Sequence, residues 1–264
     1  MTGIELVVAG LVVGVLIGAT GMGAGSLMAP VLISVFGISA VSAVGTDLLY
    51  SAGTKLVGGV RHLKLGTVNT EIARWMAMGS VPASVAGVFT LHSLAASQGA
   101  KIESQVKTAI AVALMLVAVA VVIRTFVTIR ALWTDSLPKD GQMTRRHRIV
   151  AVTAGVILGY AFGFTSVGAG AFFGMALLLL FPLSTRRIVG TDLYHGAIVT
   201  IAAAVAAVFW LPTMHLTSVG LLMVGSIPGI LIGSQLTLMV PEKALRGSLA
   251  SVLALSSLKL FNVF

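Results

Sequence analysis

The chain has 264 residues, of which 57% are hydrophobic and 9% charged, with a mean hydropathy of +1.05. A soluble domain is about a quarter charged, so this composition excludes a soluble globular enzyme and a disordered chain and specifies an all-α polytopic membrane protein. The formal charge of +9 belongs with loops that orient the chain in the bilayer, and no nucleic-acid partner is expected. The absence of cysteine excludes disulfides, thiol catalysis and thiolate metal sites.

Ten apolar stretches follow in chain order, at 6–20, 26–38, 40–60, 75–96, 106–123, 149–164, 169–183, 188–210, 216–240 and 244–261. The N-terminus ahead of the first lacks a basic leader region and carries Glu5, so the first stretch reads as a retained membrane segment rather than a cleaved signal. A full crossing takes about 20 residues. The second and seventh stretches are too short for that. Both follow a glycine cluster, Gly21, Gly23 and Gly25 in one case, Gly168 and Gly170 in the other. The only long polar run, Trp133 to Arg148, separates five stretches from five. The predicted organisation is a first membrane repeat over 1–130, a cytoplasmic linker over 131–148 and a second membrane repeat over 149–264.

The halves repeat each other. At an offset of 145, Gly18–Gly25 (GATGMGAG) falls on Gly163–Gly170 (GFTSVGAG), and Val44–Leu48 falls on Val189–Leu193, VGTDL in both. At an offset of 146, Gly79-Ser80-Val81-Pro82 falls on Gly225-Ser226-Ile227-Pro228, and Gly87 on Gly233. If each half crosses the membrane an odd number of times, 13 Lys and Arg lie inside, 3 lie outside, and Lys55 falls within a span. An even number gives 10 against 6. The positive-inside rule therefore predicts an inverted repeat with both termini outside.

Short, glycine-interrupted segments at matching places in two halves point to a transporter site. Non-helical backbone at membrane depth survives only inside protein or along a wet cavity. Short helices beginning near Ser26 and Ala171 would offer free N–H groups and a positive dipole end to an anion. Thr20 and Thr165 would add hydroxyl donors. The alternative is that these glycines only allow close helix contact. Pro82 and Pro228 read as kinks in the fourth segment of each half, where Gly79, Gly87, Gly225 and Gly233 admit close neighbours.

Asp47 and Asp192 are the acidic residues well inside apolar stretches, where a charge costs about 2.5–3.5 kcal/mol. Two roles are open to them, proton coupling or capping of a helix begun at Gly-Thr-Asp. Capping is the expectation, with the Thr46 and Thr191 hydroxyls facing the site more directly than the carboxylates. Tyr50 and His195 hold equivalent repeat positions three residues later, on the same helix face. Lys55 is expected to snorkel toward the cytoplasmic surface, with attraction of an anion as its other reading. No metal-ligand spacing and no Walker A lysine motif appear.

The break in LIGATGMGAGSLMAPVL, its echo in GFTSVGAGAFFGMAL and the paired GTDL blocks resemble the TauE/SafE sulfite exporter family over nearly the whole chain. The resemblance implies a bacterial or archaeal plasma (inner) membrane carrier, not an enzyme, working without cofactor on sulfur-containing anions such as sulfite, thiosulfate or sulfonates, or on other organic anions. The expected binding residues are Thr20, Gly23, Gly25, Ser26, Thr46, Thr165, Gly168, Gly170 and Thr191. Asp47, Asp192 and His195 serve coupling or capping. The expected partners are a small anion and the lipid bilayer, with a homo-oligomer left open. The competing expectation is an intramembrane aspartyl hydrolase with Asp47 and Asp192 as its dyad.

Overall fold

The computed structural model describes residues 3–20, 27–126, 143–168, 170–181, 183–211, 214–236, 251 and 253–261. All regular structure among them is helical: α1 (Gly3–Thr20), α2 (Met28–Ser34), α3 (Ala40–Lys64), α4 (Thr70–Gln98), α5 (Ala100–Phe126), α6 (Arg145–Thr165), α7 (Ala171–Leu180), α8 (Thr185–Trp210) and α9 (Leu216–Leu236). A further helical stretch runs over 253–260. Each apolar stretch of the sequence contains one of these helices. The expected linker is shorter than its polarity suggests, because Arg145 to Arg148 form the first turn of α6, capped by the Thr144 hydroxyl on the His147 N–H.

Among the described residues, five helices are long and apolar enough to cross a membrane: Thr70–Gln98, Lys101–Ile123, Arg145–Thr165, Arg186–Trp210 and Leu216–Gly233. α3 has the length, but its polar residues, Asp47 and Lys55 among them, keep it out of that group. α2 and α7 have 7 and 10 residues; at a rise of about 1.5 Å per residue neither crosses a hydrocarbon core of about 30 Å. The outer face is largely apolar, and the mostly apolar interior also holds polar and charged groups. Ile4, Val12, Leu116, Ile157, Phe209 and Leu231 are exposed, while Thr46, Asp47, Lys55, Thr191, Asp192 and His195 are buried. In water such a surface would be sticky; against lipid it is the expected face.

Helices meet through glycine. Gly10 lies on the backbone of Leu222 and Gly14 on that of Ser226, while Gly225 and Gly229 lie on Val7 and Leu11. α1 and α9 therefore run in the same direction, in contact too close for a single methyl group. α4 and α6 repeat the arrangement, with Gly155 on Met76, Gly159 on Ser80 and Gly163 on Ser84. Both are small-residue ridges at four-residue spacing, which let backbones approach where lipid offers no hydrophobic drive. Pro82 and Pro228 lie inside continuous helices. In repeat terms, the first helix of each half packs on the fourth helix of the other.

α3 and α8 meet differently. Gly45 approaches Leu211, Gly59 approaches Leu193, Tyr194 and Ala197, and Gly190 approaches Thr67. As one chain number rises the other falls, so α3 and α8, which occupy the same place in the two repeats, run antiparallel.

Candidate functional site

The antiparallel crossing of α3 and α8 gathers most of the buried polar groups. On α3, Asp47, Ser51 and Lys55 follow each other at four-residue spacing and so share a face. The Ser51 hydroxyl donates to Asp47 Oδ1 at 3.4 Å. A second hydroxyl arrives from the other half, where Ser166 Oγ donates to Asp47 Oδ2 at 2.7 Å. Ser166 can do this because α6 stops at Thr165. Ser166 itself is left-handed, with φ 56°, an uncommon conformation for a residue bearing a side chain. The Thr165 hydroxyl tightens the corner, donating to Ala161 O and accepting from the Val167 N–H. Gly168 then takes φ 97°, where a side chain would also strike the Phe172 ring. Gly170 stands at the start of α7.

Lys55 does not snorkel. Its side chain is 4% exposed, and Nζ lies 5.7 Å from the centre of the Phe162 ring, in the last turn of α6. The expectation failed because the helix face carrying Lys55 turns toward α6 and α8 rather than toward the surface six residues away.

Capping fails as well. Asp47 lies well inside α3, whose cap is the Ser39 hydroxyl accepting from the Ser42 N–H. Asp192 likewise lies inside α8, which begins at Thr185. Gly45 and Gly190 do not mark helix starts. A Cβ at Gly45 would meet Met214, and one at Gly190 would meet Thr67, so these glycines admit neighbouring chain. Asp47 and Asp192 are both buried.

Thr46 and Thr191 serve as helix ties. Thr46 Oγ1 accepts from the His215 N–H, just before α9, at 3.3 Å. Thr191 Oγ1 accepts from the Asn69 N–H, just before α4, at 2.8 Å. The two bonds join equivalent positions of the repeats. So do the next two: Tyr50 OH donates to Ser226 Oγ at 2.8 Å, and Ser80 Oγ lies 2.8 Å from His195 Nε2. His195 also packs edge-on against Phe173 of α7. Sequence reading set anion attraction second to snorkelling for Lys55, and it did not place Lys55, Ser51, Ser80, Ser166 and Ser226 together in this cluster. The four-residue spacing from Asp47 to Lys55 was the available signal for two of them.

Gly23, Gly25 and Ser26 lie outside the described residues, as does the side chain of Thr20. No group of three or more His, Cys, Asp or Glu able to hold a metal occurs among the described residues. A cavity of about 790 Å³ opens between the start of α3, the α4–α5 corner and the end of α8, with His92, Glu103, Lys107 and Trp210 on its wall. Asp47 lies seven residues beyond the start of α3, about 10 Å along a helix. Glu103 on that wall accepts from the Ala40 N–H and pairs with Lys107 at 3.6 Å.

Comparison with known proteins agrees with a membrane carrier. The family model described as Sulfite exporter TauE/SafE matches residues 6–260. The "Probable membrane transporter protein YjnA" of Bacillus subtilis (strain 168) is 34% identical over 259 residues, covering 97% of this chain and 99% of the relative. The "Probable membrane transporter protein YdhB" of the same organism is 26% identical over 259 residues, covering 94% and 95%. No solved structure gives a significant match. The match over nearly the full length, on a helical bundle that is apolar outside and charged within, establishes that the chain belongs to the TauE/SafE sulfite exporter family of membrane transporters.

Proposed function

We propose that the chain is a secondary transporter that exports a small sulfur-containing or organic anion, such as sulfite, thiosulfate or a sulfonate, across the bacterial or archaeal plasma membrane. The observation that carries this reading is the burial of Asp47, Lys55 and Asp192, the first two against the α6–α7 break, in a bundle whose outer face is apolar. Charges at membrane depth mark ion and substrate paths. In this reading the anion rests against the broken segments, on backbone near Gly168, Gly170 and Thr165 and on their counterparts near Thr20, Gly23, Gly25 and Ser26. Thr46 and Thr191 hold the walls. The cavity at the start of α3 gives access from the outer side.

The two halves form an inverted repeat in this proposal. Antiparallel α3 and α8 support it, as do the matched bonds at Thr46 and Thr191 and at Tyr50 and His195. Both termini then face outward and the linker faces the cytoplasm. The chain has no native cysteine, so Ser136→Cys supplies a single label site. An impermeant reagent applied to intact cells should leave it unlabelled, and labelling would reverse the topology.

The transport reading is tested by counterflow in proteoliposomes with labelled sulfite, thiosulfate, sulfate and a sulfonate. Exchange of at least one sulfur anion, and none by empty liposomes, is expected. Exchange of none would remove the substrate class. The hydrolase reading has no support: the family is one of membrane transporters.

A further inference from the structure

Lys55 is the one residue of the cluster whose hydrogen-bonding capacity is wholly unspent. An ammonium carries three donors, yet Lys55 Nζ makes no hydrogen bond, although it is buried. The Phe162 ring at 5.7 Å offers a cation–π contact, which stabilises a desolvated ammonium but accepts none of its protons in the way an oxygen does. Both oxygens of Asp47 are already met by hydroxyls from Ser51 and Ser166. A buried charge with open donors destabilises the protein unless something completes its shell.

Its position suggests what does. Phe162 is three residues before Thr165 and four before Ser166, so a side chain rooted in the first half ends at the broken segment of the second. The equivalent residue in the second half is Thr200, whose hydroxyl donates to the Gly196 and Ala197 carbonyls of its own helix. Among the described residues the cluster thus holds a single cation, with no counterpart at the equivalent position of the other half.

We propose that Lys55 Nζ is the binding cation for the transported oxyanion, and that each chain binds one anion rather than one per half. The inference rests on the anion-carrier reading above. A sulfonate or sulfite group suits the site, since its oxygens are acceptors for the open ammonium donors in a medium where water is scarce. Asp47 and Asp192 balance Lys55 in the empty carrier and disfavour an anion that arrives where the lysine is missing.

The test is binding to the purified full chain in nanodiscs, measured by titration calorimetry with sodium sulfite, sodium thiosulfate and isethionate, with sodium chloride as the ionic control. Wild type should bind at least one of the three at one anion per chain. Lys55→Met should weaken that binding by about 100-fold, the scale set by losing one partner of a buried pair. Lys55→Arg should stay within about tenfold, because the guanidinium keeps the charge and donors.

The double variant Lys55→Met/Asp47→Asn removes one charge of each sign. It guards against misfolding of the single variant and separates two roles. If Lys55 only balances Asp47, the double variant regains binding, and the proposal fails. If Lys55 holds the anion, the double variant folds and still does not bind. Wild-type binding that survives in Lys55→Met within about threefold, against the about 100-fold loss expected from, overturns the role of Lys55 and leaves the carrier reading intact. Two anions per chain overturn the single site. No binding by wild type to any of the three anions overturns the carrier's substrate class and this inference together.

Discussion

The two halves keep the same joints and differ in what those joints enclose. Thr46 and Thr191 tie equivalent helix starts, Ser80 and Ser226 meet equivalent aromatic rings, and glycine ridges join α1 to α9 and α6 to α4. Inside, the halves part. Asp47 receives hydroxyls from Ser51 and Ser166, whereas the residues equivalent to those two donors are Gly196 and Gly21, which have none. Lys55 stands opposite Thr200, and Tyr50 opposite His195. A joint between helices constrains two backbones at once, so changing it disturbs both. An interior side chain can change alone. The repeated joints therefore supply a frame, and the buried lysine and the hydroxyl-bonded carboxylate stand on α3, with Asp192 on α8.

The largest expected effect breaks that asymmetry directly. Lys55→Thr makes the first half resemble the second at this position and should lower flux at least about 100-fold, because the anion loses its binding cation and a buried charge loses its partner. Thr200→Val at the equivalent position should leave flux within about threefold, since its hydroxyl bonds only to its own helix, an interaction of about 1 kcal/mol. Proteoliposome counterflow measures both. Equal losses at the two positions would end the idea that the halves differ in their chemistry at this layer.

The next effect tests the shared frame. Gly14→Val and Gly159→Val each drive a branched side chain into the backbone of the neighbouring helix, at Ser226 and Ser80 respectively. Overpacking of this kind costs about 1–3 kcal/mol, and the two variants should lose similar thermal stability in one detergent. Gly220→Ala, which would meet nothing within 4 Å, should not destabilise. A large loss in one glycine variant and none in the other would mean that the two interfaces are not equivalent.

A smaller effect is expected from Ser166→Ala. It removes one hydroxyl from Asp47 and leaves Ser51 in place. A hydrogen bond to a charged group contributes about 1.5–3 kcal/mol, so flux should fall about tenfold or more if Asp47 acts as a charge during transport. Unchanged flux would place the Ser166–Asp47 bond among the structural joints.

The frame was legible because it repeats. Apolar stretches and glycine spacing gave the helices, and the offset of 145 residues placed equivalent positions before any contact was seen. The cluster was less legible. Gly-Thr-Asp looks like a helix start, and only the approach of Met214 to Gly45 and of Thr67 to Gly190 reveals those glycines as clearances inside helices. Lys55 lies near enough to Arg61 in sequence to suggest an interfacial lysine; its burial depends on which neighbour faces α3. Ser80 and Ser226 sit 115 and 176 residues from their partners, and no local pattern marks bonds across such separations.

The finest comparison concerns those two serines. Ser226→Ala and Ser80→Ala make the same change at equivalent positions, and each removes a partner at 2.8 Å from a buried aromatic group. Leaving a buried polar group unsatisfied costs about 1–3 kcal/mol. The two groups differ in what remains to them. Tyr50 has a single polar atom, and its ring keeps its apolar contacts when the hydroxyl is deprived. His195 has two ring nitrogens, and Nδ1 already makes no hydrogen bond. In Ser80→Ala both nitrogens would be unsatisfied inside protein, with the edge of Phe173 as the nearest aromatic neighbour. Ser80→Ala should therefore lower the unfolding temperature more than Ser226→Ala, measured side by side in the same detergent. A matching Tyr50→Phe should remove most of the Ser226→Ala loss when the two are combined, because a phenyl ring has no donor to leave stranded. If Ser226→Ala proves the more damaging, the second half's aromatic position is wetter or better partnered than the first, and the asymmetry at this layer runs opposite to that at Lys55.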